Sequence, residues 1–308
     1  MSRLHTPNNA QLKERLDALC LERDPARALR VDPIRFPRSY ASEADQEVVA
    51  ILAALLAYGR VSAIGGAVSW VTERLGPSPA ESLRRDTPAA AGERFEGFVY
   101  RFTRGPDLAR VWLGLGDIAR ERGGVGEALR GWEREEGWGA SPHLLPHLTR
   151  LHDEVLARGA RHLEALTPGA RASVEGGTGL AHLWSNPRGG SALKRLNMLT
   201  RWLARGPDEV DLGLWRDLGP HRLTMPLDAH VFRAARALSL TRRPSPSWSA
   251  AREVTAHLAL LCPEDPLRYD FALAHLGISG DCLGYREASV CARCPLEPLC
   301  GLEGRRGA

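Results

Sequence analysis

Residues 43–60, EADQEVVAILAALLAYGR, set apolar side chains at Val48, Ile51, Leu52, Leu55 and Leu56, the spacing that gathers them on one side of a helix. A stripe this apolar has to be buried, so the helix belongs at the centre of a packed lobe. Ser42, with Asp45 three residues on, reads as its capping signal, and Gly59 as its stop. The same periodicity recurs over 9–23, 62–75, 107–122, 125–135, 142–158, 190–204, 212–218, 228–238, 247–261 and 266–276. No sustained two-residue alternation bounded by hairpin turns interrupts it. The chain is therefore expected to be all-α. Residues 76–105 read as connecting loops around a short helix and the segment FVYRF, and 164–179 as a glycine-rich loop.

At 308 residues the chain can bury a large core as one domain or two. Its start, MSRLHTPNNAQLKERL, lacks the apolar centre of a secretory signal, and no apolar run approaches the roughly 18 residues of a membrane span. A cytoplasmic protein without a membrane partner is expected. The formal charge is a mild +4, but residues 186–243 hold eleven Lys or Arg against five Asp or Glu. This local basic excess is the footprint of a polyanion binder or of a solvated helix face.

Within that stretch the sequence NPRGGSALKRLNMLTRWLARG leads to MPLDAHVFRAARAL. The chain has only two lysines, Lys13 and Lys194, so arginine supplies nearly all of its positive charge. Arginine stays protonated, whereas a desolvated lysine can lose its proton and attack carbon. Lys194 thus points to amine chemistry. The turn before it, with Arg188, Gly189, Gly190 and Ser191, and Arg195 after it, has the makings of a phosphate contact: a glycine turn opening a helix, flanked by cations. Asp228 follows Pro226 and precedes a helical pattern, the place of an N-cap.

Cys282, Cys291, Cys294 and Cys300 are separated by eight, two and five residues. Four thiolates from one short loop can wrap a zinc ion or a four-iron cluster. Only Cys291 and Cys294 form a C-x2-C pair, which favours iron–sulfur over paired zinc knuckles. Cys20 and Cys262 read as small buried hydrophobes.

Together these features resemble the helix-hairpin-helix DNA glycosylases of the endonuclease III superfamily. Lys194 matches the family's catalytic lysine, Leu227-Asp228-Ala229-His230-Val231-Phe232-Arg233 its aspartate segment, and the four cysteines its [4Fe-4S] loop. The helix ending at Tyr58-Gly59-Arg60 resembles the one after which the family places a strand-wedging residue, which makes Arg60 a DNA-contact candidate. Three features depart from the family pattern. The hairpin is P-R-G-G-S rather than P-G-x-G, the lysine-to-aspartate distance implies an insertion around 205–223, and the first cysteine gap is eight rather than six.

The resemblance implies an all-α, two-lobed fold, with 46–219 as a central lobe carrying the hairpin and 1–45 plus 220–308 as a second lobe holding Asp228 and the cluster loop. It implies base-excision repair by a glycosylase with AP-lyase activity, in which Lys194 attacks C1′, Asp228 assists, and Arg286 and Arg293 reach phosphates. The partner would be double-stranded DNA carrying a damaged base or abasic site, bound by a monomer in the cytoplasm at the nucleoid. Tyr58, Tyr100, Trp184 and Trp202 are candidates for stacking on a base or for the core. Two other readings stay open: a catalytically inactive DNA- or RNA-binding protein of the same fold, and a zinc or iron–sulfur redox or sensor protein unrelated to DNA.

Overall fold

The computed structural model of the chain describes residues 8–22, 24–162, 165 and 178–304. In chain order its helices are α1 (Asn9–Glu22), α2 (Pro25–Leu29), α3 (Arg35–Arg38), α4 (Glu43–Leu56), α5 (Val61–Leu75), α6 (Pro79–Arg85), α7 (Pro88–Arg94) and α8 (Gly105–Arg122). There follow α9 (Val125–Glu136), α10 (Leu145–Arg161), α11 (Thr178–Leu183), α12 (Lys194–Ala204), α13 (Ala229–Ala237), α14 (Trp248–Ala259), α15 (Asp270–Ile278) and α16 (Ala288–Cys291). The protein is mostly helical, as the periodicity predicts. Residues 76–105 hold more structure than expected: α6, α7 and a small antiparallel pair, β1 (Val99–Tyr100) with β2 (Thr103–Arg104). Two-residue strands are too short to show alternation. The glycine-rich stretch 164–179, apart from 165, 178 and 179, lies outside the described residues.

The chain divides into two units. The larger comprises Leu29–Gly189 and Trp202–Leu218, the smaller Met1–Ala28, Gly190–Arg201 and Gly219–Ala308. The division at 218/219 lies close to the expected one, but residues 29–45 fall in the larger unit, and the start of α12 falls in the smaller. No helix among the described residues is long and apolar enough to cross a membrane.

In the larger unit α8 is the centre, buried along Leu108, Val111, Trp112, Leu115 and Ile118 and packed on α6, α7, α9 and α10. Its approach to α10 depends on two glycines. A Cβ on Gly114 would sit 2.1 Å from the Val155 carbonyl oxygen, and one on Gly159 2.3 Å from that of Arg110. Across the same contact Arg158 bonds Glu121 (2.5 Å), and His162 bonds Asp117 (2.9 Å).

Carboxylates of α4 serve the starts of other helices. Asp45 does not form the expected capping pair, and Ser42 makes no side-chain cap. Asp45 Oδ1 instead accepts the Ala80 amide (2.8 Å), because that buried donor at the start of α6 needs an acceptor more than the exposed start of α4 does. Glu47 accepts from the Val125 and Gly126 amides (2.9 and 2.8 Å) and from Trp215 Nε1 (2.7 Å).

Trp215 also explains the 212–218 stretch, which is not the expected helix but a single 3-10 turn at Arg216–Leu218. The Leu212 amide bonds Trp202 O (2.7 Å), Arg205 bonds Asp208 and buried Asp211 (2.5 and 2.7 Å), and Trp215 is buried. The segment 205–218 is therefore folded into the core of its unit.

In the smaller unit α13 packs on α15. Arg201 and Asp270, with side chains 5% and 4% exposed, pair at 2.8 Å. Asp17 of α1 accepts from Tyr269 Oη (3.0 Å).

Gly114→Ala is expected to destabilise the protein by about 1–3 kcal/mol, because the new methyl meets backbone that cannot rotate away. Ala is the better helix former by roughly 1 kcal/mol. A lower unfolding midpoint despite that gain is the predicted result of denaturant titration, and a neutral or raised midpoint would show that the helices are not in such close contact.

Candidate functional site

The expected site residues Lys194, Asp228 and the four cysteines all belong to the smaller unit. Lys194 opens α12, four residues later than the apolar period suggests. Gly190 takes φ +71° and Leu193 φ +49°, which break the helix before it can start. A left-handed leucine costs on the order of 1 kcal/mol and persists only where packing over-determines it; Leu193 is buried. Lys194 is half-buried, and its Nζ donates to Met198 Sδ at 3.3 Å. Gly189, Gly190 and Ser191 are exposed, with open space where a Cβ on either glycine would stand, and Arg195 is half-buried.

Asp228 is the N-cap of α13. Its Oδ1 accepts from the His230 and Val231 amides, both at 2.8 Å, so Oδ2 takes no part in the cap. The helix it opens then meets α15 and the start of the cysteine loop through two more glycines. A Cβ on Gly277 would lie 2.3 Å from His230 Nδ1, and one on Gly284 3.0 Å from the Arg233 guanidinium carbon.

All four cysteines line one cavity, walled by Ala234, Ala237 and Leu238 at the end of α13 and by Leu276 and Leu296. The Gly301 amide bonds Ala237 O at 2.8 Å, which ties the end of the loop to the same helix. Burial pushes the Cys294 and Cys300 thiols up, the Leu296 and Leu302 amides donate to them and pull back, and the neighbouring thiols push up again. Thiols so placed ionise when a cation supplies the compensating charge. Among the described residues no three Cys, His, Asp or Glu side chains form a group suited to one metal ion. Four cysteines on one cavity are the type of donor set that a zinc ion or a four-iron cluster would use.

Arg188 and Arg60 belong to the larger unit. Arg188 does not extend freely. Its Nη1 and Nη2 fork onto Asp153 Oδ1 and Oδ2 of α10 at 2.8 and 2.6 Å. That fork pulls the Asp153 carboxyl down to about 2, against the upward push of partial burial. Arg60 is exposed at the start of α5.

Beside Arg60 the structure assembles a surface that periodicity does not indicate. Tyr58 Oη bonds Tyr100 O (3.0 Å) and Thr103 Oγ1 (2.8 Å), which locks the α4–α5 turn to the β1–β2 hairpin. The hairpin exposes Val99 and Phe102 (64% and 53%), with Arg101 and Arg104 also exposed. The only sequence signal is FVYRFTR itself, an aromatic and basic run in what reads as a loop. Trp184 and Trp202 are fully buried, so both are core residues.

A family model described as a protein of unknown function (DUF2400) matches residues 32–279, a span that contains Lys194 and Asp228 and ends before Cys282. Comparison with curated proteins and with solved structures returned no match.

Asn caps a helix about as well as Asp, whereas Ala costs about 1 kcal/mol. Asp228→Asn is therefore expected to keep wild-type thermal stability and Asp228→Ala to lose about 1 kcal/mol, measured by denaturant unfolding. Equal stability of all three would remove the cap from the account of this helix.

Proposed function

The chain belongs to the DUF2400 family, and we propose that this member is a base-excision DNA glycosylase with AP-lyase activity. The observation that carries the reading is the composition of the smaller unit. It joins one of the chain's two lysines at a helix start, an aspartate that opens another helix, and a cysteine cavity walled by that second helix. The exposed Phe102 among Arg60, Arg101 and Arg104 adds an aromatic face flanked by cations, the surface chemistry that unstacked bases and phosphates take.

In the proposed reaction the damaged nucleotide leaves the stack, at a cost of a few kcal/mol that is smaller for a lesion. The Lys194 amine, having given up its proton, forms a bond to C1′ as the C1′–N glycosidic bond breaks. The base departs with the bonding electrons and takes up a proton. Asp228 balances the positive charge that builds on the sugar and accepts the proton that Lys194 releases. Ring opening leaves a Schiff base. Loss of the C2′ proton then expels the 3′-phosphate, and hydrolysis returns the free amine. Cys282, Cys291, Cys294 and Cys300 would hold a [4Fe-4S] cluster that orders the loop and takes no part in these steps.

Borohydride reduction on a duplex with an abasic site is expected to trap a covalent adduct with the wild type and none with Lys194→Ala. Asp228→Asn is expected to slow single-turnover cleavage by at least ~100-fold. No wild-type adduct across a panel of damaged duplexes would end the lyase reading. Salt-sensitive binding that ignores Lys194→Ala, with no base release, would favour an inactive binding protein.

Anaerobically purified protein is expected to be brown and to contain about four irons per chain, and Cys291→Ala to lose that colour. A colourless preparation with one zinc per chain would overturn the cluster and point toward a zinc protein.

A further inference from the structure

We propose that Asp153 is an internal stand-in for a DNA phosphate: it occupies the oxyanion site of Arg188, and a backbone phosphate must displace it to engage the hairpin. This rests on the reading that the chain binds DNA. It does not need the lyase chemistry.

The guanidinium of Arg188 presents two parallel N–H donors, and Asp153 fills both with its two carboxylate oxygens at 2.8 and 2.6 Å. The two unbridged oxygens of a phosphodiester offer the same planar fork. The turn itself is already set. Asn186 Oδ1 accepts the Arg188 amide (2.9 Å), Asn186 O accepts that of Gly189 (3.1 Å), and Pro187 is buried. Only the partner of the guanidinium is left to change. Both side chains of the pair are about half exposed, 56% and 45%, where an ion pair is worth at most about 1 kcal/mol. The pair is therefore easily exchanged. While it is closed, Arg188 and Asp153 together bring no net charge to the turn, so this arginine adds nothing to the attraction for a polyanion. Asp153 thereby sets the strength and the salt dependence of binding at the hairpin.

The test is binding to an undamaged duplex across a salt series, read by fluorescence anisotropy, with the full chain. Asp153→Asn is expected to bind several-fold tighter than wild type at about 0.1 M salt, with a slope of log affinity against log salt steeper by about 0.9. Asp153→Ser provides an independent second variant. Arg188→Ala is expected to remove the gain made by Asp153→Asn, and to weaken that variant more than it weakens the wild type.

If Arg188→Ala weakens both backgrounds equally and Asp153→Asn leaves affinity and slope unchanged, Arg188 contacts phosphate with Asp153 in place, and the proposal is overturned. Tighter binding by Asp153→Asn without borohydride trapping by the wild type supports it while the lyase reading falls. Trapping with no effect of Asp153→Asn does the reverse. If neither the wild type nor Asp153→Asn binds duplex at low salt, both are overturned.

Discussion

Gly114 and Gly159 let the backbones of α8 and α10 meet at a distance where any Cβ would collide with a carbonyl. Much of the larger unit depends on that contact. α8 can be buried along most of its length because α10 comes close enough to cover it, and the Arg158–Glu121 and His162–Asp117 pairs hold the crossing in register. α10 in turn carries Asp153 to the hairpin. The turn at Pro187–Gly189 packs on that same helix.

A second recurring device is the carboxylate used as an acceptor for helix starts and indole donors. Asp45 serves α6, Glu47 serves α9 and Trp215, Asp228 serves its own helix, and Asp86 takes the Trp112 Nε1 at 2.8 Å. Each acid faces the positive end of a helix or a donor that would otherwise lie buried. Asp86 also takes a fork from the Arg94 guanidinium, and Asp153 is likewise paired with an arginine. The contrast between Asp153 and Asp228 shows how one residue type is assigned different tasks by its surroundings: one carboxylate spends both oxygens on a guanidinium, the other spends one oxygen on two amides.

The proposed chemistry needs an amine that can be deprotonated, a carboxylate and a shape that holds them. Lysine scarcity identifies the first, because charge alone does not require lysine here. The position of Asp228 after Pro226 identifies the second, and its two amide bonds are those its place in the chain predicts. Arg188 behaves differently. Its place in a glycine turn suggests a phosphate contact, yet in the folded protein its donors are already taken. Spacing reveals which groups are available along the chain but not which of them meet.

The helical class, the burial of α4, the cap at Asp228 and the grouping of four cysteines in one loop were all determined by the sequence itself. Each depends on residues within about twenty positions of one another, where the period of 3.6 and local hydrogen bonding dominate. Only the tertiary structure decided that Asp153 holds Arg188 across 35 positions, that Glu47 reaches Trp215 across 168, and that Asp45 serves α6 instead of its own helix. It also decided that FVYRFTR forms a hairpin pinned by Tyr58. These contacts arise when buried donors and acceptors must find partners wherever packing has brought them. Packing depends on volumes and close approaches such as those at Gly114 and Gly159, and one-dimensional spacing does not carry that information.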